Sequence, residues 1–315
     1  MINLRYDNYI GTGQTVSMGE LVKLMKKKTK AIIILLIVLA LFAVSPLAPY
    51  CVSLGVMSLY SHTEAGDSLM AEKDIDIDIP SADGWYPFVM TFNADSGFRN
   101  YLDGTGMGLS DGGIRLSIMY NFPGFDLTKG CSRLYDTDSP YYNAFYGAYC
   151  VSGSFGFNDK GLIDRQQAAL VPEYDMTRLV LRDLGMNPAD EVFEWSAQPD
   201  GVAHDDVTSD DMTYERAGYN GWQRVDADLT VNGAGHRPHG WLRNYIQYGS
   251  PKYDVSEDFA PVKMKGRIYG RYFEEQDCGI FFYVLACDSR LIDDWENEIM
   301  AESTVSTGSM PAGGA

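Results

Sequence analysis

The stretch Ala31–Tyr60 reads AIIILLIVLALFAVSPLAPYCVSLGVMSLY and carries no ionisable side chain other than Tyr50, Cys51 and Tyr60. A helix of about 20 apolar residues crosses a bilayer, and the apolar run from Ala31 to Ser53 is long enough. Lys23, Lys26, Lys27, Lys28 and Lys30 stand just before it, a basic cluster that the positive-inside rule keeps in the cytoplasm. The sequence therefore predicts a transmembrane anchor over residues 31–53, held by membrane lipid, with everything after it extracellular. A cleaved leader fits less well. Ala43-Val44-Ser45 offers small residues for an exit but is followed by Pro46, and the run exceeds an ordinary signal core.

The division that follows is a basic cytoplasmic arm over 1–30, the anchor over 31–53, a polar spacer over 54–73, an extracytoplasmic domain over 74–302 and a flexible tail over 303–315. Charge separates these parts. Residues 1–30 are +4, which leaves −22 of the chain's total of −18 for the remainder. A domain so acidic repels nucleic acid and anionic lipid. Its many tyrosines, tryptophans and glycines mark it as folded.

Period-2 alternation dominates the domain. Ile75, Ile77 and Ile79 alternate with aspartates; Ile114 to Phe122, Val225 to Val231 and Val262 to Tyr272 alternate with polar residues. Half-polar strands of this kind belong to antiparallel sheets. Gly279–Cys287 is apolar on both faces, which places it at the sheet centre. Asp175 is the expected cap of a helix with Met176, Leu179, Val180 and Leu184 on one stripe. Asp288 or Ser289 caps a second, with Leu291, Ile292, Trp295 and Ile299 inward and Asp293, Asp294, Glu296 and Glu298 in water. Asn187-Pro188 starts a short third turn. The fold class is α+β: a single N-terminal transmembrane helix, then a mainly antiparallel sheet with two or three helices.

Chemistry is thinly signalled. His204, His236 and His239, with Asp206, Asp210 and Asp211, form the metal candidate; the H-x-x-H spacing lacks the helical offset and glutamate of a zincin. Ser152-Gly-Ser-Phe-Gly156 misses the first glycine of a nucleophile elbow. No catalytic residue and no cofactor is predicted. Tyr141, Tyr142 and Tyr146, with Trp222, Trp241 and Tyr245, form two aromatic crowds beside amides, a pattern suited to sugar rings. Lys263, Lys265, Arg267 and Arg271 share one side of a strand, and Asp226 and Asp228 on another strand are expected to pair with them. Cys131, Cys150, Cys278 and Cys287 lie beyond the anchor and allow two disulfides, with three connectivities open.

These features predict a membrane-anchored binding or scaffolding protein of the bacterial envelope, with a glycan or another envelope protein as partner. The alternative is a metal- or Cys/His-dependent hydrolase acting on cell-wall material.

Overall fold

The computed structural model describes residues 18–45, 47–108, 113–129, 131–182, 186–198, 213–234 and 259–308. The chain divides into two units, Met1–Ala48 and Pro49–Ala315.

The first unit is dominated by α1, Met18–Ala43, a helix of 26 residues. Its first half carries the five lysines. Its second half, Ala31–Ala43, is apolar all round and exposed, Ile34 at 62 % and Leu41 at 63 %. The helix ends in a turn at Val44-Ser45, where the Ser45 hydroxyl donates to the Phe42 carbonyl over 2.7 Å. Pro46 follows, lacking the N–H that would continue the helix.

This break corrects the expected span. Half of a 26-residue helix is about 20 Å long, against a hydrocarbon core of about 30 Å. Among the described residues no helix is long and apolar enough to cross a membrane. The remainder of the apolar run belongs to a second helix, α2, Leu47–Gly66. From Pro49 onward that helix is part of the second unit. Met57 is buried in its core, and the Ser53 hydroxyl lies 3.0 Å from the Tyr86 hydroxyl. Residues 54–73 are therefore not a spacer. α3, Leu69–Glu72, follows with its N-cap Ser68 accepting from the Ala71 N–H, and Leu69 and Met70 are buried.

The second unit is α+β with a mainly antiparallel sheet. Its strands are β1 (Ile75–Asp78), β2 (Met90–Asn93), β3 (Leu116–Asn121), β4 (Phe125–Asp126), β5 (Cys131–Ser132) and β6 (Phe145–Ser152), then β7 (Phe193–Gln198), β8 (Tyr214–Arg216), β9 (Tyr219–Asn232), β10 (Pro261–Phe273), β11 (Cys278–Ala286) and β12 (Thr304–Thr307). The main sheet has the order β2-β3-β6-β11-β10-β9-β7, with β8 added on β9. β11 lies near its middle and every one of its residues is buried, as its unbroken apolar sequence predicts.

Each face of the sheet has its own core. Tyr149, Phe281, Tyr283, Val225 and Leu229 face a layer that includes Phe98 and Leu102 of α4 (Asp95–Thr105) and Leu170 of α5 (Arg165–Glu173). Tyr146, Cys150, Phe282, Val284 and Trp222 face Leu69, Ile75, Ile77, Leu291 and Trp295. Ile75 and Ile77 sit on β1, whose alternation is as expected, and β1 pairs with β12. The β12 partner corrects the reading of a loose tail for residues 303–308, where Val305 is buried opposite Ile77; residues 309–315 lie outside the described residues.

α5 begins earlier than its expected cap. Asp164 accepts from the N–H groups of Gln166 and Gln167, and Gln167 Nε2 reaches back to Asp164 Oδ2, 3.4 Å, so the aspartate is the N-cap. Asp175 therefore lies inside the helix. Pro172 sits within α5 and has no N–H for the Ala168 carbonyl four residues back; that carbonyl accepts instead from the Tyr149 hydroxyl, 3.0 Å. The chain continues in wider π-helical turns over Tyr174–Leu181, a form associated with such interruptions.

The last helix, α6 (Arg290–Asp294), also widens into π turns over Trp295–Met300. Leu291, Ile292, Trp295 and Ile299 point inward as predicted. Asn187 caps the short turn Pro188–Asp190 through the Ala189 N–H, 3.1 Å.

The sheet's β2 edge is closed by side chains of α2. The Thr91 N–H donates to Ser61 Oγ over 2.8 Å, and the Asn93 N–H to Glu64 Oε2 over 3.1 Å. Unpaired edge groups invite pairing with another chain, and these two are occupied.

Candidate functional site

Where the ends of β3 and β6 meet the β10–β11 turn, the sheet opens into a cleft of about 520 Å3. Glu72 at the end of α3 and Lys73 just after it, Arg115 before β3, Ser152 at the end of β6 and Ser154 after it, Gln167 on α5 and Asp277 in the turn supply its polar wall; Phe155 and Phe157 supply the apolar one.

Local sequence builds each wall. Gly153 and Gly156 have φ of +67° and +84°, and a side chain at Gly156 would meet the Phe281 ring at 2.6 Å. Ser152-Gly-Ser-Phe-Gly is thus a tight turn leaving β6, and Ser154 projects at its exposed corner. Asp277 takes φ +48° to close the turn between β10 and β11, and its carbonyl accepts from the Gly153 N–H, 2.9 Å. Its Oδ1 accepts from the Tyr272 hydroxyl over 2.7 Å. That bond, followed by burial, pushes the Tyr272 phenol up to about 12.

Arg115 is the centre of the charge pattern. Its Nε donates to Asp95 Oδ2 over 2.9 Å, and its Nη1 pairs with Glu72. The other oxygen of Asp95 accepts from the Leu116 N–H, 2.8 Å, so the carboxylate that orients the guanidinium is itself fixed to the start of β3. Ser152 Oγ accepts from the Arg115 backbone N–H, 2.9 Å. A guanidinium held from two sides, a lysine, two seryl hydroxyls and two phenyl rings can hold a polar ligand with an apolar flank. Among the described residues lining the cleft there is no histidine.

A second polar cluster lies on the opposite side of β11. Glu296 Oε1 accepts from the Tyr269 hydroxyl, 2.6 Å, and from Arg216 Nη2, 2.7 Å, while Oε2 accepts from Arg267 Nη1. Burial alone would raise this carboxyl, but the bonds from Tyr269 and Arg216 and the Arg267 charge outweigh it and hold the group below its ordinary value. Glu296 is thus part of an ionic network and not one of the water-facing acids of its helix. Arg267 also donates to Asp226 Oδ1, 2.6 Å, and Lys265 pairs with Asp228. In the register Lys265 stands opposite Asp228 and Arg267 opposite Asp226. Lys265 and Arg267 thus make the cross-strand ion pairs that the sequence suggests, whereas Lys263 stands opposite Thr230 and Arg271 donates instead to the Asn220 carbonyl, 2.9 Å.

The aromatic crowds do not form one shelf. Tyr146 is fully buried, its hydroxyl donating to the Pro80 carbonyl, 2.9 Å, and accepting from Asn121 Nδ2, 2.8 Å. Trp222 is buried against Phe282, ring centroids 5.3 Å apart. Both stand on the inner face of a sheet covered on both sides, which corrects their reading as ligand platforms. Tyr141 is half-buried, packed edge-on to Trp85 with its hydroxyl donating to the Asp83 carbonyl, 3.1 Å. Tyr142 is half-buried beside Gly233. Trp241 and Tyr245 lie outside the described residues.

His204, His236 and His239 also lie outside the described residues. Among the described residues no group of three metal-binding side chains converges. Cys150 and Cys278 are buried free thiols, Cys287 is a half-buried one that burial pushes up to about 11, and Cys131 falls in β5.

The cleft was legible only in pieces. Ser152–Gly156 has the outline of a nucleophile elbow without its first glycine, whereas Arg115 and Asp277 carry no local motif and meet only through the strand order. Compared with protein families, with curated proteins and with solved structures, the chain matches none of them.

Proposed function

We propose that this chain is a membrane-attached binding or scaffolding protein of the bacterial envelope, whose sheet domain works outside the cytoplasm and seats its partner at the Arg115 cleft. The observation that carries this reading is the exposed apolar half of α1, with Ile32 to Leu41 open on all sides directly after the lysines. An apolar surface of this extent needs a covering medium, and lysines at one end of a greasy rod match a cytoplasmic flank. The rod is about 10 Å short of a full span. On this reading the difference has to be met by snorkelling of Lys28 and Lys30 and by local thinning of the bilayer, at a cost for each ångström of mismatch.

An envelope glycan is the favoured ligand class at the cleft. Sugar rings offer hydroxyls to Arg115, Ser152, Ser154 and Gln167 and an apolar flank to Phe155 and Phe157.

The test fuses a phosphatase active only outside the cytoplasm behind Ala315 and fractionates the cells. The expected result is phosphatase activity in a membrane fraction that detergent extracts and alkaline carbonate does not. An inactive fusion, or a chain that stays in the soluble fraction, overturns the reading. Titration of the detergent-purified full chain with envelope glycan fragments tests the ligand: binding should weaken at least tenfold in Arg115→Ala, and no binding of any fragment by the intact chain removes the glycan assignment.

A further inference from the structure

Cys150 on β6 and Cys278 at the start of β11 bring their thiols into contact across two hydrogen-bonded strands. The register sets Cys150 opposite Ile280 and Cys278 opposite Ser152, so the two cysteines are diagonal neighbours on one face of the sheet. Both are fully buried, in the core that also holds Leu69 of α3. Diagonal Cα atoms in a flat antiparallel pair are about 7–8 Å apart, and a disulfide accepts roughly 4.4–6.8 Å. Strand twist draws one diagonal inward. This diagonal is one on which the thiols already touch. The pair also sits at the end of the ladder, where Cys278 begins β11 directly after the Glu274–Asp277 turn.

The other cysteines are placed differently. Cys287 follows the far end of β11, about 30 Å along the strand from Cys278. Cys51 is exposed on α2.

We infer that Cys150 and Cys278 close to a cross-strand disulfide when the chain matures in an oxidising compartment. The inference rests on the extracytoplasmic placement proposed above. The co-reactant is a disulfide donor of that compartment. The thiolate of one cysteine attacks the donor's S–S bond, giving a mixed disulfide and one donor thiolate. The second cysteine's thiolate then attacks the protein sulfur of that mixed disulfide, forming the Cys150–Cys278 bond and releasing the second donor thiolate. The two protons lost from the cysteines end on the two donor thiols. Because the pair is sealed in the finished core, exchange takes place before the sheet closes over it. Once formed, the bond is shielded from external thiols.

The full chain, purified in detergent, is unfolded and reduced, refolded in a glutathione redox buffer, quenched with acid, blocked with N-ethylmaleimide in denaturant so that buried thiols are reached, and peptide-mapped. The expected product joins the Cys150 and Cys278 peptides, lighter by two hydrogens than the separate pair, with Cys287 blocked. Chain refolded in reductant should melt about 5–15 °C below the linked chain. Cys278→Ala should leave Cys150 blocked and abolish the reductant-dependent shift. A refolded wild-type chain in which both cysteines carry the blocking group, or in which either is joined elsewhere, overturns the inference. The same mapping on chain taken directly from cells separates the two claims. A pair that links in the redox buffer yet is reduced in cells overturns the compartment, whereas a pair that fails to link in the buffer overturns the bond.

Discussion

Asp175 and Tyr283 meet in the core: the Tyr283 hydroxyl donates to Asp175 Oδ2 over 2.9 Å, and among the described residues Oδ1 has no partner. An acid sealed in an apolar layer resists ionisation. Burial pushes the Asp175 carboxyl up to about 7 from 3.8, the bond from Tyr283 opposing the rise. The folded chain therefore retains a proton that the unfolded chain releases between these two values. Stability from this group is full below pH 3.8, falls as pH rises through the window, and is lost above about pH 7.

Asp175→Asn keeps the shape and removes the titration. Denaturant unfolding should show the variant gaining on the wild type as pH rises from 4 to 8, by on the order of 3–4 kcal/mol at the upper end. A difference that does not change with pH would refute a carboxyl that ionises only at a cost.

Tyr149 and Pro172 form a second linked pair, since the tyrosine hydroxyl supplies the donor that the proline cannot. Tyr149→Phe leaves the buried Ala168 carbonyl unsatisfied and should cost about 1–3 kcal/mol. In the Pro172→Ala background position 172 regains an N–H for that carbonyl, so the Tyr149→Phe loss should shrink to less than half. A double-mutant cycle from chemical denaturation reads the coupling.

Glu296 stands among Arg216, Arg267 and Tyr269, and its held-down carboxyl contributes stability that is present above the ordinary carboxylate range and lost as pH falls through the folded value. Glu296→Gln leaves two guanidinium groups without their shared partner. The loss should be about 2 kcal/mol at neutral pH and should narrow toward pH 3, as followed by thermal melts across that range.

Gly147 allows β6 to lie against β3 at its closest point, because a side-chain carbon there would come within 1.9 Å of the Met119 carbonyl oxygen. Gly147→Ala should cost more than about 3 kcal/mol and deplete folded chain. Recovery of a monomeric, cooperatively melting variant within 1 kcal/mol of wild type would sink this reading.

Much of the sheet was open to sequence reasoning because a strand with one wet face writes its orientation into alternate residues. Ile75 to Ile79 and Val225 to Val231 did so, and the acid–base pairing of Asp226 and Asp228 with β10 followed from charge alone. β6 gave no such signal. Covered on both faces, Phe145–Ser152 mixes tyrosine, glycine and cysteine, and its rings read as a binding surface when they are core. The helix at Arg165 was missed because Asp175 offers an equally good cap letter, and only the packing of Asp175 against Tyr283 distinguishes an interior acid from a starting one. α2 was hidden by continuity. Leu47–Met57 continues the uncharged run of Ala31–Ala43, and composition does not reveal that the helix ends at Ala43 and that Met57 of the next one is buried in the sheet domain's core.

The fastening of Thr91 and Asn93 by Ser61 and Glu64 bears on where this protein can be cut. A fragment beginning at Asp74 looks like a clean domain start, yet it would discard Met57 from the interior and bare a row of backbone donors along one border of the sheet. Such a fragment should self-associate through that border, and a shortened version meant to stay dispersed has to begin no later than Pro49.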